Sequence, residues 1–185
     1  LLKERGMRIN WSSDDVMYVR EAIAIVKKNF IIGSLLASGV LFLFLRSFST
    51  TFLGALGIPI CTIAAFLGLL ITGRTINVIS LAGVAFAIGM TLDNSIVVME
   101  NIYRHRRMGK GLFDAAFEGV KEVWTAVFAS TLTTVFVFIP IIFVREEAGQ
   151  LYSDIAVAIS SSIIMSMVVA ITVVPCAAAR WMKVD

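Results

Sequence analysis

Five apolar runs, at about residues 30–46, 52–73, 76–103, 123–144 and 151–180, take up most of this 185-residue chain. Crossing a hydrocarbon core of about 30 Å takes roughly 20 helical residues. Inside that core every backbone N–H and C=O needs a partner within the protein, which an α-helix supplies from its own segment. The predicted fold class is therefore an all-α integral membrane protein built as a five-transmembrane-helix bundle. Composition agrees: 58% of residues are hydrophobic and 16% charged, where a soluble domain has about half and about a quarter. Mean hydropathy is +0.90.

The net charge of +3 is small and gathers in short basic clusters between the runs. Such clusters report topology rather than nucleic-acid binding. Arg46, Arg104, Arg106, Arg107, Lys110, Lys121, Arg180 and Lys183 fall on one side, and Arg74 and Arg145 on the other. The positive-inside bias places the C-terminus in the cytoplasm and the N-terminus outside. Six Lys/Arg in the N-terminal segment oppose this, but long translocated domains escape the rule. Residues 1–13, "LLKERGMRINWSS", carry no signal-peptide pattern and read as the tail of a preceding domain. The bundle then occupies residues 14–185.

The first run is short for a span. Ser12 and Ser13 suit an N-cap and Asp14 and Asp15 a helix N-terminus, so the helix is predicted to begin near Asp14. Arg20, Glu21, Lys27 and Lys28 would lie in its polar part. Pro59, Pro140 and Pro175 sit inside runs, where membrane helices tolerate proline. The connections "RSFST", "GRTIN" and "REEAGQ" are short, which implies antiparallel neighbours. In the longer third link, Leu112, Phe113, Ala116, Phe117 and Val120 keep helical spacing, so 111–122 is expected to lie at the membrane surface. No internal repeat or low-complexity segment is visible.

Asp93 is the main chemical candidate. About 24 Å of helix separates it from Asn77 and about 16 Å from Arg104, at a rise of 1.5 Å per residue. It therefore sits well inside the core. An intramembrane carboxylate costs roughly 2.5–3.5 kcal/mol on insertion scales, and such residues usually mark an ion or proton path. The alternative is a protonated Asp that merely bonds a neighbouring helix. No other ionisable side chain lies deep in a span. Asp154 is near an end and Glu100 is two turns towards the basic loop. Any cationic partner is thus expected from another segment, and a carboxylate whose partner comes and goes can load and release a proton.

Around it, Asn94 points about 100° away and could bond across helices. Gly83 and Ala87 have the four-residue spacing that permits close helix contact. Ser130, Thr131, Thr133 and Thr134, and Ser160, Ser161, Ser162 and Ser166, either line a wet path to Asp93 or bond their own i−4 carbonyls. Met90, Met99, Met165 and Met167 are read as core filler rather than soft-metal ligands. Cys61 and Cys176 are read as small buried hydrophobes, and His105 as solvated within its basic cluster. No phosphate loop, metal-spaced His/Cys set or catalytic triad is present, so no cofactor or metal is expected and the chain reads as no enzyme.

Gly89-x-x-x-Asp93 followed by "NSIVVMEN" resembles the fourth-helix motif of the resistance–nodulation–division (RND) exporters. "FLFLRSFSTTFLGALGIPI", "GRTINVISLAGVAFAIGM" and "VVPCAAARWMK" resemble other parts of the same domain, so the likeness covers almost the whole chain. It implies helices two to six of the first of two repeats, with residues 1–13 a remnant of a periplasmic domain. It further implies a secondary active transporter in the bacterial inner membrane that exports drugs or other small toxic compounds against protons. The transporter would be a homotrimer with a periplasmic adaptor and an outer-membrane channel. The family's proton-relay aspartate falls on Asp93, and a second aspartate of drug exporters falls on Asn94. A lysine of the second repeat would pair with Asp93. Gly89, Glu100, Asn101, Thr131 and Ser162 are the supporting candidates. The alternatives are RND-related protein, lipid or heavy-metal export, and a non-transporting scaffold in which Asp93 is structural.

Overall fold

A computed structural model describes residues 15–45, 48–144 and 147–181, all helix and short turns. The helices are α1 (Asp15–Leu45), α2 (Phe48–Ala55), α3 (Gly57–Ile71), α4 (Val78–Met90), α5 (Leu92–Arg107), α6 (Leu112–Ile142), α7 (Glu147–Ile171) and α8 (Val173–Trp181). Among the described residues there is no strand. Val78–Arg107, Leu112–Ile142 and Tyr152–Arg180 are long and apolar enough to cross a membrane, while Gly57–Ile71 and Ile31–Val40 are shorter apolar stretches. The chain is an all-α membrane bundle. The segment 1–13 and Arg46, Arg145 and Lys183 lie outside the described residues.

Three runs expected as single spans divide, and proline explains where two of them do. Proline lacks the N–H that would bond the i−4 carbonyl, and its ring crowds that carbonyl. For Pro59 the i−4 residue is Ala55, the last of α2. For Pro175 it is Ile171, the last of α7. Pro140 does not divide its helix, for α6 runs through it to Ile142. Residues 112–122, expected at the membrane surface, continue without a break into the span.

The helix 76–103 bends at Thr91, between α4 and α5. Thr91 stays right-handed (φ −77°, ψ −18°). Its hydroxyl donates to the Ile88 carbonyl at 2.9 Å. Its own carbonyl accepts from the Ser166 hydroxyl of α7. Side chains that insert into a backbone ladder this way bend helices.

α7 is the central element and packs against α3, α4 and α6. One core cluster joins Ile58, Ala65 and Leu69 of α3, Val84 and Ile88 of α4, and Val157 and Ala158 of α7. Another joins Val98, Met99 and Ile102 of α5, Ala116 and Val127 of α6, Val169 of α7 and Val174 of α8. Met99 is fully buried, while Met90, Met165 and Met167 pack against the core, as filler does. Small residues let the helices touch. A Cβ on Gly83 would stand 2.9 Å from Ile155 Cα, and a Cβ on Gly68 would overlap the Ser161 side chain. Ala87 joins Gly83 on this face and packs with Ile159 and Ile163.

Polar groups clamp one end. Gly73, at φ +69°, reverses the chain after α3. Asn77 then caps α4, accepting from the Ile79 and Ser80 amides at 2.9 and 2.8 Å while Ser80 Oγ accepts from the Asn77 amide. The Asn77 side chain also donates to Asp154 Oδ2 at 3.0 Å. Arg74 completes the clamp, donating to Asp154 Oδ1 at 3.0 Å and Ser153 Oγ at 2.8 Å. Asp154, at the start of the last long span, is buried. Asp154→Ala strands both donors, and hydrogen bonds to charged groups contribute about 1.5–3 kcal/mol each. We expect a clear fall in the melting temperature of the full-length protein in detergent. An unchanged melting curve would show that the clamp is ornamental.

Candidate functional site

The helix Val78–Arg107 carries two stripes that differ in everything but their spacing. Asn94, Val98, Asn101 and His105 recur at intervals of four, three and four residues, and all are buried. Gly89, Asp93, Val97, Glu100 and Arg104 follow the same spacing about 100° round the helix, and all are exposed. The candidate residues are therefore split. Gly89, Asp93 and Glu100 share the open stripe. Asn94 and Asn101 share the sealed one.

Asp93 lies in the first turn of α5, just past the bend at Thr91. Among the described residues it has no hydrogen bond and no ion pair. A Cβ on Gly89, one turn earlier on the same face, would meet nothing within 4 Å. An open groove of about 640 Å³, lined by Val97, Glu100 and Arg104 among others, follows this stripe from the basic end. Val97 is one turn from Asp93.

Asn94 is bonded inside the bundle. Its amide donates to Thr131 Oγ1 of α6 at 3.2 Å and to Ser166 Oγ of α7 at 3.5 Å. Ser166 in turn holds the Thr91 carbonyl. Three helices thus meet in one polar knot next to Asp93. Ser162 lies elsewhere, donating to the Cys61 carbonyl of α3 at 3.1 Å. Thr133 and Thr134 donate to Ala129 and Ser130 carbonyls of their own helix, at 2.8 and 3.0 Å. Thr133 and Thr134 thus bond back to their own helix, as one expectation had it, while Thr131, Ser162 and Ser166 bond across helices, which neither expectation named. Ser160 Oγ is buried without a partner.

The Asn94–Thr131 link yields a measurable coupling. Such bonds between membrane helices average about 0.6 kcal/mol in double-mutant cycles, reaching about 1.7. An Asn94→Ala/Thr131→Ala cycle on the full-length protein, read by unfolding in mixed micelles, is expected to fall in that range. Additive losses would mean that the two side chains do not interact.

At the basic end, Glu122 of α6 gathers the end of α5. It accepts from Arg104 at 2.6 Å and from Asn101 at 3.1 Å, and its Oε2 lies 2.8 Å from His105 Nε2. Asn101 also donates to the Gly119 carbonyl at 2.8 Å. His105 is a correction to the sequence reading. It is only 8% exposed, sealed by α6 rather than solvated. Lys110 has only donors, so Nδ1 of His105 accepts from it at 2.8 Å and Nε2 donates to Glu122. Lys110 also pairs with Glu118. Cys61 is buried as expected, whereas Cys176 is exposed on α8. Sequence reasoning missed the Glu122 cluster and the Arg74–Asp154 clamp. One signal was available: His105 keeps helical register with Asn94 and Asn101.

Sequence comparison bears on what this arrangement belongs to. The AcrB/AcrD/AcrF family profile matches residues 3–185. The multidrug resistance protein MdtC of Pectobacterium atrosepticum is 33% identical over 177 residues, 96% of this chain and 17% of that protein. MdtC of Serratia proteamaculans is 33% identical over 170 residues, covering 92% of this chain and 17% of its own length. MdtC of Photorhabdus laumondii is 32% identical over 178 residues, covering 96% and 17%. The chain thus spans about a sixth of the length of these curated relatives. With a profile match over nearly every residue, and with the fourth-helix motif lying on the bent helix that carries Asp93, the chain belongs to the AcrB/AcrD/AcrF family of RND transporters.

Proposed function

We propose that this chain forms the proton-translocating part of an RND-type efflux transporter of the bacterial inner membrane, with Asp93 as the proton carrier. One observation carries the reading. Asp93 stands near the middle of a 30-residue apolar helix, exposed and, among the described residues, unpaired, while the polar group beside it is sealed inside. A carboxylate facing hydrocarbon costs roughly 2.5–3.5 kcal/mol, so another protein segment is needed over this face. A cation on that segment, such as a second-repeat lysine, would pair with the charged Asp93 and release it when protonated. Asn94, Thr131 and Ser166 would pass the change to α6 and α7 through the bend at Thr91.

In this reading Gly89 leaves room for the covering helix, and the groove beside Glu100 gives water a route from the cytoplasm. The C-terminus is cytoplasmic and the N-terminus periplasmic. The whole transporter is a homotrimer that works with a periplasmic adaptor and an outer-membrane channel. The relatives' names, multidrug resistance proteins, support small toxic organic compounds as cargo. The test is proton-coupled export by the full-length transporter carrying Asp93→Asn.

A further inference from the structure

A groove of about 630 Å³ opens on the outer face of the bundle, between the first turns of α6 and the junction of α7 with α8. Its walls are Phe113, Phe117 and Val120 on one side and Pro175 and Cys176 on the other. It exists because small side chains lie between large ones: Ala116 is buried beneath Phe113 and Phe117, and Ala179 faces it from α8. Phe113 and Phe117 remain 74% and 61% exposed. The volume falls within the roughly 300–1,000 Å³ of small-molecule sites.

The charges around the groove are unevenly satisfied. Of the three carboxylates at this end of α6, Glu118 is engaged with Lys110 and Glu122 with Arg104 and His105, while Asp114, beside Phe113, has no ion pair among the described residues. Lys121, which lines the groove, has no ion-pair partner among the described residues. Neither does Arg180, which lines an adjoining hollow that shares Thr172 and Cys176 with it. Both cations stand at the end of the bundle that carries the basic linker. Lys121 does act electrostatically on Glu118, but neither cation is held in an ion pair among the described residues. An apolar cleft flanked by such cations at the membrane–water boundary matches an acyl chain joined to an anionic headgroup, and basic pockets between membrane helices bind acidic lipids.

We propose that this groove is a binding site for one anionic phospholipid, its acyl chain between α6 and α8 and its phosphate held by Lys121 and Arg180. Only the choice of leaflet rests on the orientation proposed above. Lys and Arg stems lie along apolar surface while their heads reach the headgroup layer, so Lys121 on the groove wall and Arg180 from the adjoining hollow can both reach toward the phosphate. Pro175, at the junction of α7 and α8, itself lines the groove, which adds a role for it that its place in a span does not explain.

The test uses the full-length transporter, stripped of lipid in detergent and offered equal amounts of dioleoylphosphatidylglycerol and dioleoylphosphatidylcholine. Bound lipid is counted by native mass spectrometry. The wild type should retain phosphatidylglycerol preferentially. Lys121→Gln/Arg180→Gln should lower that preference on the order of 20-fold, about fivefold per cation. Phe117→Asp, a change at an exposed position, should reduce retention of both lipids. Arg20→Gln/Lys28→Gln, at exposed positions on α1 away from the groove, should change neither. Equal retention of the two lipids by the wild type overturns the proposal. So does a preference that survives loss of both groove cations, or an equal fall in the α1 control.

Discussion

Replacing Asp93 with Asn in the full-length transporter is expected to bring proton-coupled export down to background while the protein stays folded and assembled. The substitution keeps the shape of the side chain and removes only its ability to ionise. Asp93 touches no described partner, so nothing in this bundle loses a hydrogen bond. Burying a neutral amide in the membrane costs less than burying a carboxylate. The covering cation, however, loses its counter-charge, so some thermal stability is expected to be lost with assembly intact while transport disappears altogether. The measurement is substrate export from proteoliposomes under an imposed pH gradient, with melting and oligomeric state recorded on the same preparation. Undiminished export would sink the proton-carrier reading. Loss of assembly without any specific effect on transport would favour a scaffold.

The second large effect concerns packing. Gly119 of α6 lies against the backbone of α5, and a Cβ there would stand 2.9 Å from Ile102 Cα and 3.0 Å from its nitrogen. Backbone atoms cannot swing aside as a side-chain tip can. Alanine is the better helix former by about 0.8–1 kcal/mol. We nevertheless expect Gly119→Ala to destabilise and Gly119→Val to destabilise more, by about 3 kcal/mol, the upper part of the usual range for overpacking. The larger residue also pushes away the carbonyl that accepts from Asn101, loosening the Glu122 cluster with it. Melting of the purified variants in detergent checks the order. A Gly119→Ala protein more stable than the wild type would show that α5 and α6 separate easily.

The membrane class and the position of Asp93 along its helix were legible from local arithmetic. Run length and a fixed rise per residue place a residue along a helix without any knowledge of its neighbours. The motif around Asp93 carried the family as well. The positions of Pro59 and Pro175 pointed to two of the divisions of the runs, but tolerance of proline in membranes hid them, since the same residue can bend, divide or leave a helix intact. Pro140 and Pro175 differ in this way.

Which face of a helix is covered is a different kind of quantity, because it depends on the order in which helices pack. Periodicity could say that Asp93 and Asn94 point about 100° apart, not which of them would be sealed. Only the placement of α6 and α7 decided that, turning Asn94 into the centre of a knot and leaving Asp93 open. Likewise His105 was one more member of a basic cluster until Glu122 arrived from the next helix. The sequence by itself determined an all-α membrane bundle of the RND type with a carboxylate near mid-span. The tertiary structure alone decided which polar groups find partners, since hydrogen bonds and ion pairs act over a few ångströms between residues far apart in the chain.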